Sequence, residues 1–249
     1  VAPSDQLTKG IIGVGGIGKS SYHFTSTKEC RLVAVCDVDS KHLQSALDLG
    51  KKRFNETLQS YRDFRRLIAD PNVDIVHIAT PPHWHGIMPL SRQGRQGHLV
   101  RETDDPYHRR GQARRGGRQA QQPHLPLNTW FRFTDTFYGL GTTVEPLKKL
   151  IDRRPAGMAA QGDHLGHHRL HLEILLGGQG EPRPAEVPSN LDYDMWLGPA
   201  PYKPYNEHRV HQTFRGYWDY DGGGLTDMGQ HYMDPVQYLL GKDETSPVK

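Results

Sequence analysis

Asp227 and His231 stand four residues apart in Gly222-Gly-Gly-Leu-Thr-Asp-Met-Gly-Gln-His-Tyr-Met-Asp234, and the helix predicted over 225–240 puts both on one face. An imidazole tuned near neutral pH can take the proton of a hydroxyl while hydride leaves the same carbon. Spacing alone does not separate that role from an ordinary structural contact between the two side chains.

Hydride needs an acceptor, and the amino-terminal stretch Gly10-Ile-Ile-Gly-Val-Gly-Gly-Ile-Gly18 offers a place for one. It reads G-x-G-x-x-G. Gly13 makes a tight strand-to-helix turn, Gly15 lets backbone approach a pyrophosphate, and Gly18 lets helix and strand pack closely, with Gly16 and Ile17 completing the turn. The β-branched run 31–36 follows and ends in Asp37, about 20 residues past the last glycine. A carboxylate there accepts hydrogen bonds from an adenosine ribose and repels a 2′-phosphate, so NAD is favoured over NADP. A second β-branched run, 73–79, enters Thr80-Pro-Pro-His-Trp-His85. In open α/β sheets ligands sit beyond the carboxyl ends of strands, which puts Thr80, Pro81, His83 and His85 where a nicotinamide or substrate would lie. A rigid loop with solvated histidines explains each of these four singly as well as ligand contact does.

These groups need a doubly wound α/β framework: strands over 31–37 and 73–79, helices over 19–24, 40–54 (capped by Ser40) and 61–69, and a break at Asp70-Pro-Asn72. The chain's 249 residues suffice for two domains, expected over 1–127 and 128–249. The second half is expected to hold a strand over 128–133, a helix over 144–152 and an extended linker over 182–188. Residues 202–220 mix aromatics with Arg209, His211 and Arg215, a composition that suits polyol binding and a core edge equally.

Composition narrows the partners. The net charge is +3, but residues 89–127 hold eight arginines, no lysine and three acids, so this segment carries +5 and the remainder is slightly acidic. A nucleic-acid surface would interleave lysines and aromatics on a folded scaffold, and this segment does not, so no nucleic-acid partner is expected. No apolar run approaches a membrane span, and none follows a charged leader. Cys30 and Cys36, the two cysteines of the chain, bracket one strand and stand about 20 Å apart, too far to pair. His164, His167, His168 and His171 suggest a metal, yet they lack the glutamate of an H-E-x-x-H pattern, and no metal is assigned to them. Nothing in the sequence fixes the compartment.

Taken together, Gly13 to Gly18, Asp37, Ala79-Thr-Pro-Pro-His-Trp-His85, Trp196-Leu-Gly-Pro199 and 222–234 resemble the Gfo/Idh/MocA oxidoreductases, the family of glucose-fructose oxidoreductase and inositol dehydrogenase. The resemblance implies a Rossmann domain followed by an α+β domain with an open, mostly antiparallel sheet, homo-oligomers, NAD and a sugar or cyclitol substrate. It also implies that His231 is the acid/base and Asp227 orients substrate. Cleavage of a glycoside through transient oxidation by NAD is a second activity it allows, and a dinucleotide-binding protein without catalysis a third.

The resemblance further implies a strand ending in Glu-Lys-Pro, whose lysine contacts the nicotinamide ribose and the reacting hydroxyl. This chain has Val100-Arg-Glu-Thr-Asp-Asp-Pro-Tyr-His-Arg-Arg110 instead. Codons compatible with that stretch, read one nucleotide later, give Cys-Glu-Lys-Pro-Met-Thr-Arg-Thr-Ile-Gly. A like shift over 154–180 gives a plausible sheet strand. Both segments therefore read as out of frame, with 89–127 expected to be irregular, activity impaired as written, and the carboxyl end truncated.

Overall fold

The computed structural model describes residues 6–21, 23–88, 98–101, 183–222 and 229–242, together with helical backbone at Pro146, Lys148, Lys149 and Asp152. Among the described residues five strands form one sheet: β1 (Leu7–Ile12), β2 (Cys30–Cys36), β3 (Gln59–Tyr61), β4 (Ile75–Ile78) and β5 (His98–Arg101). Their order is β3-β2-β1-β4-β5, and every pairing is parallel. From β1 the chain winds first toward β2 and later to β4 on the other side. The crevice between the ends of β1 and β4 is therefore the switch point at which such sheets bind ligands.

Both faces of the sheet are buried, as parallel sheets require. Consecutive residues of β1 point to opposite sides. Ile11 packs with Val14, Phe24, Leu32, Val35, Leu43, Ala46 and Leu58, whereas Ile12 packs with Cys36, Phe64, Leu67, Val76, Ile78 and Trp84. Helix α1 (Ser40–Phe54) supplies Leu43 and Ala46 to the first layer, and α2 (Phe64–Ala69) supplies Phe64 and Leu67 to the second. Cys30 and Cys36 lie at the two ends of β2 as free thiols.

Local structure corrects several expectations. The cap of α1 is Asp39, whose side chain accepts from the Lys41 amide, and Ser40 is the first helical residue. Tyr61 belongs to β3, and α2 begins three residues later behind its cap Asp63. The helix expected over 19–24 reduces to a 3-10 turn, Ile17–Lys19, after which Ser20 turns extended. Serines and threonines crowd 20–27 and compete for backbone hydrogen bonds, which explains the early stop. Within the segment expected to be irregular, β5 pairs from Ile75↔His98 to Ile78↔Arg101. A backbone ladder asks little of side chains, so the four residues His98-Leu-Val-Arg101 can pair although the segment around them is polar and rich in arginine.

In the second half, 183–188 carries no regular secondary structure and leads to α3 (Tyr193–Leu197), α4 (Trp218–Asp221) and α5 (Gln230–Leu239), with 3-10 turns at Glu207–Arg209 and His211–Gly216. Leu191, Tyr193, Trp196, Leu197, Val210, Phe214 and Tyr220 form a third apolar cluster. The sheet seen is parallel rather than mostly antiparallel, and 183–222 is built of short helical turns resting on the Rossmann half. The strand expected over 128–133 and the segment 154–181 lie outside the described residues. Within the helix expected over 144–152, Lys148 pairs with Asp152 at 3.0 Å and its ammonium lies 5.6 Å from the centre of the Tyr238 ring.

Candidate functional site

Beyond the carboxyl ends of β1, β2 and β4 lies a cleft of about 820 Å³, lined by Gly13, Gly15, Gly16, Ile17, Asp37, Thr80, Pro81 and His85 from the sheet side and by 210–215 from the other. Its floor is the glycine turn. Gly13 has φ +86°, and a Cβ there would meet the Ala79 carbonyl oxygen at 2.7 Å. A Cβ on Gly18 would overlap the Gly13 carbonyl oxygen. Main chain thus lies bare where a pyrophosphate would approach, and a dinucleotide fits both this cradle and the size of the cleft. Gly18 itself does not line the cleft; its part is the close packing.

Asp37 locks this turn. One carboxylate oxygen accepts from the Val14 amide at 2.8 Å and the other from the Asp39 amide at 2.9 Å. Each oxygen retains a second lone pair, so the group can still accept from a ribose hydroxyl. His42 Nδ1 lies 3.8 Å from Asp37 Oδ1. That carboxylate raises the His42 pKa against the opposing effect of burial.

Beyond β4, Thr80 and His85 are held together, the His85 Nε2 lying 2.7 Å from the Thr80 carbonyl oxygen. Both remain on the cleft wall. His83 points elsewhere: it is 1% exposed and is not among the lining residues. Its Nε2 lies 3.0 Å from the Trp196 carbonyl and its Nδ1 3.3 Å from that of Tyr220. Burial depresses its pKa, so the ring is neutral and donates through one nitrogen, with the shorter contact favouring Nε2. Trp84 Nε1 donates to the same Trp196 carbonyl at 3.0 Å. The loop expected to meet cofactor thus divides between a cleft wall and a rivet into the second half.

Residues 202–220 divide likewise. Tyr220 joins the apolar cluster, Val210 and Phe214 belong both to it and to the cleft wall, and His211, Gln212, Thr213 and Arg215 line the cleft. Arg209 is buried with its guanidinium 5.2 Å from the centre of the Tyr217 ring. His211 holds φ +56°, unusual for a residue with a Cβ, and its Nε2 reaches Asp39 Oδ2 at 3.4 Å. Sequence reasoning overlooked His42 and Asp39. Their one sequence signal was position, at the cap and in the first turn of the helix after Asp37.

His231 lies in the first turn of α5, and Asp227 lies outside the described residues, as do His164, His167, His168 and His171. No described helix is long and apolar enough to cross a membrane.

Comparison with known proteins places this geometry among relatives. Residues 7–102 match the Gfo/Idh/MocA oxidoreductase family's NAD-binding Rossmann fold, and residues 140–249 match its C-terminal alpha/beta domain. A curated relative, "Glycosyl hydrolase family 109 protein 2" of Shewanella sp. (strain ANA-3), is 37% identical over 94 residues, which is 34% of this chain and 20% of that protein. Among solved structures, the WlbA dehydrogenase of Bordetella pertussis, in complex with NADH and UDP-GlcNAcA, superposes with a TM-score of 0.56 at 18% identity, covering 94% of this chain and 58% of that one. The myo-inositol dehydrogenase of Lactobacillus casei, in complex with NAD(H) and myo-inositol, gives 0.51 at 17% identity, covering 95% and 55%. These likenesses establish the fold. The match spans about a fifth of the curated relative's length and a little over half of each solved structure's.

Proposed function

We propose, since the chain belongs to the Gfo/Idh/MocA oxidoreductase family, that it carries out NAD-dependent oxidation of a hydroxyl carbon on a sugar or cyclitol. The observation that carries the reading is the bare glycine cradle at the sheet's switch point, opening into a cleft large enough for a dinucleotide. The main chain of Gly13, Gly15 and Gly16 would hold the pyrophosphate, and Asp37 would accept from the adenosine ribose hydroxyls, disfavouring a 2′-phosphate there. Thr80, Pro81 and His85 would bound the nicotinamide end. Bound NAD supplies the hydride acceptor. His231 would take the hydroxyl proton, and Asp227 would orient the substrate. The family's lysine is absent, and Glu102 stands at its sequence position, so turnover of this chain is expected to be slow.

The match to glycosyl hydrolase family 109 proteins favours a second reading, in which oxidation is transient, the aglycone is eliminated, and NAD is regenerated. One assay separates the two. The full chain is supplied with NAD and a panel of free sugars, cyclitols and aryl glycosides, with absorbance followed for both NADH and released phenol. Net NADH supports the dehydrogenase; phenol without net NADH supports the hydrolase. Absence of NAD binding by calorimetry overturns both.

A further inference from the structure

Where the cleft meets the start of α1, three side chains converge that the reading above does not use. We propose that Asp39, His42 and His211 form a binding site for a divalent transition metal of the zinc class. One ligand atom from each lies within 4.8 Å of the others. Two imidazoles and one carboxylate are the donor set zinc takes in three-ligand sites, where a fourth position stays open.

Two of the donors already stand at metal spacing. His211 Nε2 and Asp39 Oδ2 are 3.4 Å apart, and bonds of about 2.0–2.1 Å in a tetrahedron set neighbouring ligands about 3.4 Å apart. The His42 ring sits against His211, with centroids 4.5 Å apart and planes at 65°, so a small turn of its side chain completes the set. The surroundings fix the remaining freedom. Asp39 is buried, and its Oδ1 is occupied by the Lys41 amide at 2.8 Å and the Asn190 side-chain amide at 2.9 Å, which leaves Oδ2 for a cation. Asp37 stands behind His42 as the outer carboxylate that metal-bound imidazoles commonly use. His211 reaches the cluster from a backbone held at positive φ, an outlier of the kind found at ligand sites. His42 and His211 both line the cleft, so the open fourth position faces it.

The site ties the β2–α1 junction to the turn His211–Gly216 and does not rest on the hydride-transfer reading. The test uses the full chain stripped with a chelator, then titrated with Zn²⁺ by calorimetry and with Co²⁺ by visible absorption. One tight equivalent is expected, with the intense d–d bands of four-coordinate cobalt. His42→Ala and His211→Ala should each weaken it by roughly tenfold or more. Exchange of His164, His167, His168 and His171 for glutamine should leave it intact. Should either alanine variant fail to fold, Asp39→Asn reads the same loss while keeping an acceptor for the helix cap. Undiminished binding in these variants, or loss on exchanging the four histidines of 164–171, overturns the proposal. Octahedral cobalt or no tight equivalent overturns it too, and would make the cluster an ion pair.

Discussion

At the scale of single residues, the cleft depends on what is missing from its glycines and on how one carboxylate is spent. Gly18→Ala places a methyl against the Gly13 carbonyl oxygen. The turn must shift, which should cost about 1–3 kcal/mol of stability and weaken NAD binding together; a thermal melt and a cofactor titration on one preparation check this. Asp37→Asn turns an amide NH₂ toward one of the two backbone amides that Asp37 now satisfies. A loss of about 1–3 kcal/mol is expected, with a drop in the preference for NAD over NADP, read from the ratio of the two Kd values. These roles were legible because each glycine and the acid sit at fixed intervals in the sequence. His42 was not legible, because its partner His211 is joined to it only by the fold.

At the scale of elements, β4 carries an unusual load. His77 is buried in the middle of the sheet beside His23, with its Nε2 lacking a partner among the described residues. Burial, aided by His23 and Lys9, pushes its pKa down to about 3 from 6.5. The native state therefore refuses a proton that the unfolded chain accepts. Stability is intact above about pH 6.5 and falls below it toward pH 3, by about 1.4 kcal/mol per pH unit for one such group. Buried His83 contributes in the same direction. Denaturant melts between pH 7 and 5 should show the loss, and His77→Leu should flatten it. The loop after β4 is seated by Trp84, whose indole packs edge-on to Phe64 at 5.1 Å. Gly198 has φ +49°, and a Cβ there would overlap that indole. Gly198→Ala should therefore lower the melting temperature and raise the Kd for NAD through displacement of Thr80 and His85. β-branched runs announced β2 and β4, and a short apolar run entering the glycine turn announced β1. By contrast β3, two exposed polar residues and a half-buried tyrosine, gave no periodicity to read, and β5 owes its place to backbone pairing.

At the scale of the whole molecule, two halves meet at a joint that no local pattern could have revealed. Residues 190–192 bond to the β2–α1 junction, with Ser40 donating to the Asn190 carbonyl and Asp192 to that of Val38. On the other side of the cleft His83 and Trp84 meet the carbonyls of Trp196 and Tyr220. The missing Glu-Lys-Pro belongs at this scale as well. Arg101 ends β5 opposite Ile78, and in sequence it immediately precedes the position at which the family carries its lysine. The in-frame version of the gene, carrying that lysine, should turn over faster than this chain under identical NAD occupancy. A coding sequence across codons 88–182 that cannot yield the shifted peptides would remove the basis for expecting it. The joint itself has an evolutionary corollary. The two peptide oxygens that His83 and Trp84 meet belong to any amino acid, but the rings at 196 and 220 also pack on the His83 imidazole, each with its centre 5.4 Å away, so a change of ring there would loosen the clasp too. Histidine and tryptophan at 83 and 84 supply the side-chain half of that clasp, and a lineage that lost them would have to invent another.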